Sequence, residues 1–141
     1  DRSIFKVYLQ DEASSILKNK EGAASSDKII REGRYHNIGL YLGTQNASDY
    51  QSENKEVANV GMKFCFALKY DKEAEEMLRY YNLPVTEENI LMLRQLRRGE
   101  ALFQDIFGRT AVVEIDPVFQ ELKIAFDSST KTDEERAQQL A

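Results

Sequence analysis

Residues that build covalent or metal-bound sites are scarce in this chain. A single cysteine, Cys65, excludes an internal disulfide, and its place in the apolar run 62–68 marks a buried thiol rather than a nucleophile. The one histidine, His36, sits in a polar stretch between a helical and a strand pattern and reads as a solvated loop residue. With no second histidine and no cysteine cluster, a zinc site is not expected. No apolar run approaches the roughly 18–20 residues that cross a bilayer, and no charged-then-apolar leader opens the chain. Basic charge is also short: 19 Lys and Arg face 24 Asp and Glu, a net charge of −5. That balance argues against a uniformly basic nucleic-acid module, though not against a localised contact surface.

What remains is one domain's worth of ordinary sequence. The 141 residues are 42% apolar and 30% charged, enough to bury a core. The first residue is Asp1 rather than Met, as expected of a fragment or processed product. The unpaired cysteine fits a reducing, cytoplasmic compartment.

Strand-like and helix-like patterns alternate along the chain, which predicts an α/β architecture. Residues 4–10 read as a strand. A helical stretch follows over 14–34, with an expected interruption at 22–26 and a fresh N-cap at Ser25 or Ser26. Residues 38–44 form a second strand, in which Gly39 and Gly43 suggest close backbone approach. A helix over 48–60 ends at Gly61, and 62–69 reads as a third, central strand. Asp71 is expected to cap a helix to about residue 81. Pro84 breaks the pattern, and Thr86 opens a helix ending at Arg97, Arg98 and Gly99, where the arginines would complement the macrodipole. Residues 100–107 and 109–116 form a hairpin around Gly108. Residues 127–132 read as a polar linker before a short helix capped at Thr132.

The chemistry concentrates where the first strand ends in Asp11-Glu12. Ligands bind at the carboxyl edge of open α/β sheets, so two acids there can serve a metal-bound phosphate. Asp11 could hold the water shell of a magnesium ion, and Glu12 could orient and deprotonate an attacking water. If the strands are parallel, Gln45 leaves at the same edge, where its amide can bond both that water and a terminal phosphate oxygen. Arg34 leaves the far end of the intervening helix and is suited to reach a neighbouring subunit's nucleotide. Taken singly, the acids describe a helix N-terminus, Arg34 a helix C-terminal cation and Gln45 a turn amide. Together and in this order they point to nucleotide hydrolysis.

The order DEA (11–13), REGRYHN (31–37) and LYLGTQNASDY (40–50) resembles the ATPases of type IV secretion and conjugative DNA transfer. The nearest likeness is to the family named for the fourth VirB component, within the HerA–FtsK group of RecA-like motors. KFCFALK, the Leu83-Pro84 break, RRGEALF, the Gly108-Arg109 hairpin and AFDSS extend the likeness over nearly the whole chain. The resemblance implies an ATPase fold with a mostly parallel sheet, helices on its flanks and a C-terminal hairpin. It implies Asp11 and Glu12 as Walker B acids, Gln45 as the sensor glutamine, Arg34 as the arginine finger, and ATP with Mg2+ as cofactors. Residues 1–126 would be the C-terminal part of that domain and 127–141 a linker with a terminal helix. Expected partners are neighbouring subunits, secretion-channel proteins and DNA, at the cytoplasmic face of the inner membrane through those partners. A DNA-pumping or helicase-type motor, or a catalytically silent assembly module, stays open beside this.

Two departures make the strand end more polar: Gln10 replaces an apolar residue and Ser14 an aromatic one. The larger departure is a missing phosphate-binding loop. Its Gly-x-x-x-x-Gly-Lys-Ser/Thr signature occurs nowhere, because none of the seven glycines is followed by lysine. The resemblance further implies that the strand leading into that loop lies between 4–10 and 38–44. Without it, these two strands are expected either to pair directly or to accept a strand from another copy.

Overall fold

The computed structural model describes residues 3–17, 19–45 and 60–125. Strand β1 (Lys6–Gln10) leads through α1 (Ser14–Leu17) and α2 (Lys20–His36) into β2 (Ile38–Leu42). After β3 (Lys63–Cys65) come α3 (Asp71–Tyr80), α4 (Glu87–Arg94), the hairpin β4 (Glu100–Gln104) and β5 (Thr110–Glu114), and α5 (Gln120–Ala125). β1 and β2 form a parallel pair, whereas β3, β4 and β5 form an antiparallel sheet in that order.

The parallel pair answers the question of the missing strand. β1 and β2 bond directly, in a register running from Lys6 opposite Ile38 to Gln10 opposite Leu42, so no one-strand slot separates them. A helical crossover is the connection a parallel pair requires, and α2 provides it. Much of β1 is uncovered among the described residues: Val7, Tyr8 and Leu9 are 54, 53 and 79% exposed.

The core lies under the second sheet. Ala74, Met77, Leu78 and Tyr81 recur at helical spacing along α3 and its end, so they share one face. Against them pack Leu93 and Leu96 from α4 and its exit, with Cys65 and Leu102 from the strands. The phenol of buried Tyr81 donates to the Leu102 carbonyl at 3.3 Å, and the Gln104 amide donates to the Tyr81 carbonyl at 3.0 Å. These bonds satisfy polar groups that would otherwise be costly to bury. Leu78 is fully buried, and Leu78→Ala is expected to cost about 2–5 kcal/mol, measured by denaturant unfolding of the folded chain. Cys65 is buried as expected, and its thiol pKa is pushed up to about 12 by desolvation.

Several elements differ from the sequence-based expectation. The helical stretch divides between Leu17 and Lys20, not at 22–26: Asn19 is the N-cap of α2, its Oδ1 accepting from the Glu21 amide at 3.0 Å. Ser25 instead donates to the Glu21 carbonyl at 2.8 Å and Ser26 is buried, so both serines lie within α2. β3 is a three-residue edge strand rather than a central one, because among the described residues it pairs with β4 alone. Asp71 does not cap α3. Tyr70 holds that position, and the Asp71 carboxylate pairs with Arg94 of α4 at 2.8 Å.

Thr86 caps α4 as anticipated, its Oγ1 accepting from the Asn89 amide at 3.2 Å. The helix nevertheless ends at Arg94, and Arg97 and Arg98 lie beyond it. Arg97 forks onto Glu100 with contacts of 2.8 and 2.6 Å, its backbone amide adding a third at 2.6 Å. A carboxylate three residues away outcompetes the diffuse helix dipole. His36 is the last residue of α2 rather than a loop residue, though it is exposed. α5 had no counterpart in the sequence-based expectation. The helix expected at 48–60, save its last residue, falls outside the described residues, as do the linker and the terminal helix.

The hairpin gives the fold an acid-sensitive edge. Hydrogen bonds from the Arg97 side chain and backbone hold Glu100 below the usual carboxylate range. Desolvation pushes Asp105 upward, but hydrogen bonds from Arg109 and the Phe107 amide outweigh it and leave Asp105 lowered as well. Depressed folded-state values stabilise the fold above the unfolded pKa values of about 4 and lose that contribution as pH falls through the folded values. Thermal unfolding is therefore expected at progressively lower temperature below about pH 5, with a shallower dependence in Glu100→Gln.

Candidate functional site

Parallel pairing brings the ends of β1 and β2 to one edge. The ladder continues past both strands: the Gly43 amide donates to the Gln10 carbonyl at 2.8 Å, and the Ala13 amide to the Gly43 carbonyl at 2.7 Å. Asp11 and Glu12 stand between those two bonds, exposed at the carboxyl edge. Gln45, two residues beyond Gly43, is exposed at the same edge.

The strand ends through a sharp backbone turn. Glu12 adopts the left-handed region at φ 54°, uncommon for a residue with a side chain. That turn directs Ala13 inward, where it is fully buried against Leu42, Val60 and Tyr80, and leaves the Glu12 side chain outside. Asp11 Oδ1 accepts from the Glu12 amide at 3.0 Å, and the Ser15 hydroxyl donates to the Glu12 carbonyl at 3.1 Å. Gln10, the polar departure at the strand end, bonds locally, its amide donating to the Asp11 carbonyl at 2.8 Å.

Of the two glycines of β2 and its exit, only Gly39 sits tightly, and against a side chain rather than in the close backbone approach expected of it. A Cβ on Gly39 would come 3.1 Å from the Phe5 ring, and one on Gly43 would come 3.4 Å from Asp11 Oδ1.

Arg34 is not part of this edge. α2 runs from the carboxyl edge at Lys20 back to the amino edge at His36, so Arg34 lies about 20 Å away along the helix axis. It is exposed in the last turn, next to Tyr35 and His36, whose rings meet edge-to-face at 5.0 Å.

The residues present suit one half of a nucleotide site. Among the described residues no group of three or more His, Cys, Asp or Glu is placed to hold a metal ion. Magnesium, however, is commonly held by one or two carboxylates with water and substrate phosphates completing its shell. Asp11, whose Oδ1 accepts from the Glu12 amide, could offer Oδ2 to such an ion. The chain carries no Gly-x-x-x-x-Gly-Lys-Ser/Thr loop to cradle a triphosphate, so its acids could serve only the metal and water side of such a site.

A parallel strand pair with a helical crossover and acids at its carboxyl edge, followed by an antiparallel sheet, is an α/β arrangement like that found in part of RecA-like P-loop ATPase domains. The chain belongs to the AAA-like domain family, whose profile matches residues 1–126. It is 31% identical over 131 residues to the uncharacterized protein YddE of Bacillus subtilis strain 168. That alignment covers 93% of this chain and 15% of YddE. Among solved structures it is similar to VirB4 of Thermoanaerobacter pseudethanolicus, with a TM-score of 0.67 and 22% identity over 82% of this chain and 32% of that one. It also resembles the genome packaging NTPase B204 of Sulfolobus turreted icosahedral virus 2, in complex with AMPPCP. There the TM-score is 0.57, with 20% identity over 78% of this chain and 52% of B204. The chain therefore spans only a minor part of YddE and of VirB4.

Proposed function

We propose that this chain supplies the water-activating half of an ATP site in a motor that drives type IV secretion or conjugative transfer across the cell envelope. What carries the reading is the placement of Asp11, Glu12 and Gln45 at one carboxyl edge of a parallel pair, in a chain of the AAA-like family. Bound magnesium would be held through water at Asp11 and would neutralise phosphate charge. Glu12, left outside by its own backbone turn, accepts the proton of the attacking water. Gln45 orients that water and contacts the terminal phosphate. Arg34, too far from its own acids, serves the site of a neighbouring subunit.

Secretion-channel proteins and neighbouring subunits are the partners that this reading requires, with work done at the cytoplasmic face of the inner membrane. No helix of the described residues is long and apolar enough to cross a membrane. DNA pumping is a second reading, favoured by the likeness to a genome packaging NTPase. Stimulation of full-length turnover by duplex DNA alone would support pumping, and indifference to DNA would support secretion.

The direct test of the half-site is the isolated chain. Lacking the phosphate loop, it is expected to release no phosphate from ATP above background with magnesium present. Metal-dependent release that Glu12→Gln abolishes would show that the chain holds a whole site.

A further inference from the structure

Within the Arg-Glu-Gly-Arg segment, neither the acid edge nor the proposed finger accounts for Gly33. It is buried on the inner side of the last turn of α2, where the helix meets the start of β2. A Cβ at this position would lie 2.8 Å from the Ile38 carbonyl oxygen and 3.8 Å from Ile29 Cγ2. Carbon and oxygen prefer roughly 3.3–3.6 Å even in attractive contacts, so a methyl here must open the seam by about half an ångström or more. The obstructing atom is backbone and cannot rotate away.

The seam is also short of slack. Asn37 turns the chain from helix to strand in one left-handed residue at φ 57°, its amide bonding back to the Gly33 and Arg34 carbonyls. Its own carbonyl accepts from the Lys6 amide at 2.9 Å, which ties the turn to β1. A displaced last turn therefore carries Arg34 with it.

We propose that Gly33 is a positioning residue: by allowing α2 to lie against Ile38, it sets where Arg34 projects. The inference rests on the reading of Arg34 as a finger acting in trans. In the full-length protein, Gly33→Ala is expected to lower ATP turnover about a hundredfold, the scale of an ångström-sized misplacement, while nucleotide affinity changes less than about twofold. Subunit mixing separates misplacement from misfolding. Gly33→Ala keeps its acids and Glu12→Gln keeps its finger, so mixed assemblies should regain turnover at roughly a quarter of their interfaces, by random pairing.

Recovery with Glu12→Gln, matched by recovery of Arg34→Ala with Glu12→Gln, is the expected pattern. If the Arg34→Ala mixture recovers and the Gly33→Ala mixture does not, Gly33 is only a packing residue and the proposal fails alone. It fails in the same way if Gly33→Ala has wild-type turnover, or if that variant cannot fold or assemble. If neither mixture recovers, the trans reading itself fails, and this inference with it.

Discussion

Glu12→Gln in the full-length protein is expected to remove turnover while leaving nucleotide binding nearly intact. The amide keeps the size and hydrogen-bonding reach of the carboxylate but cannot take a proton from water. Loss of a positioned general base costs about two to four orders of magnitude. The exchange leaves the backbone arrangement alone, because the left-handed turn at Glu12 is bonded through main-chain groups to Asp11, Ser15 and, by way of Ala13, to Gly43. Steady-state phosphate release beside equilibrium binding of a fluorescent nucleotide separates the two effects. Turnover within tenfold of wild type would remove Glu12 from the role of base. Weakened binding without loss of turnover would point to a ground-state contact instead.

Arg34→Ala carries the other large effect. A finger that neutralises transition-state charge in trans contributes about three to five orders of magnitude, and turnover should fall on that scale. Stability should barely move, since Arg34 is exposed and its backbone capping bond is unaffected. Arg97→Ala is a useful contrast. It removes the fork onto Glu100 at the start of the hairpin, so it should shift the acid dependence of unfolding and leave turnover near wild type. Mixing Arg34→Ala with Glu12→Gln subunits tests the direction of action, because only a residue working across an interface can be supplied by the other subunit.

Patterns set by neighbouring residues were readable in the chain. The apolar run before Asp11, the helical spacing over α2 and α3, the Thr86 cap and the hairpin around Gly108 each follow from local stereochemistry. So did the tight place of Gly39, although what crowds it is the Phe5 ring rather than backbone. Two of the failed expectations were local, the helix break at 22–26 and His36 as a loop residue, whereas the others concerned competition between alternative partners. Asp71 has a cap's identity, yet Arg94, 23 residues away, takes its carboxylate. Arg97 has a helix terminator's identity, yet Glu100, the first residue of β4, takes its guanidinium. The run at 62–69 is apolar enough for a buried central strand, but strand position depends on which edges find partners, and among the described strands β3 found only β4.

For the candidate site the division is similar. Residue identities alone determined which groups are available: two adjacent acids, a glutamine, an arginine, and no phosphate-binding loop. Their order along alternating elements also determined that the acids and Arg34 would stand at opposite ends of the intervening helical stretch. Only the tertiary structure decided that β1 and β2 bond without a gap, because hydrogen-bond pairing is a property of two strands and not of either. Only the tertiary structure, too, decided that Glu12 turns left-handed to bury Ala13, and that Gly33 must lack a side chain for α2 to reach Ile38. A backbone angle and an interatomic approach are fixed by what packs on the other side, and no residue carries that information by itself.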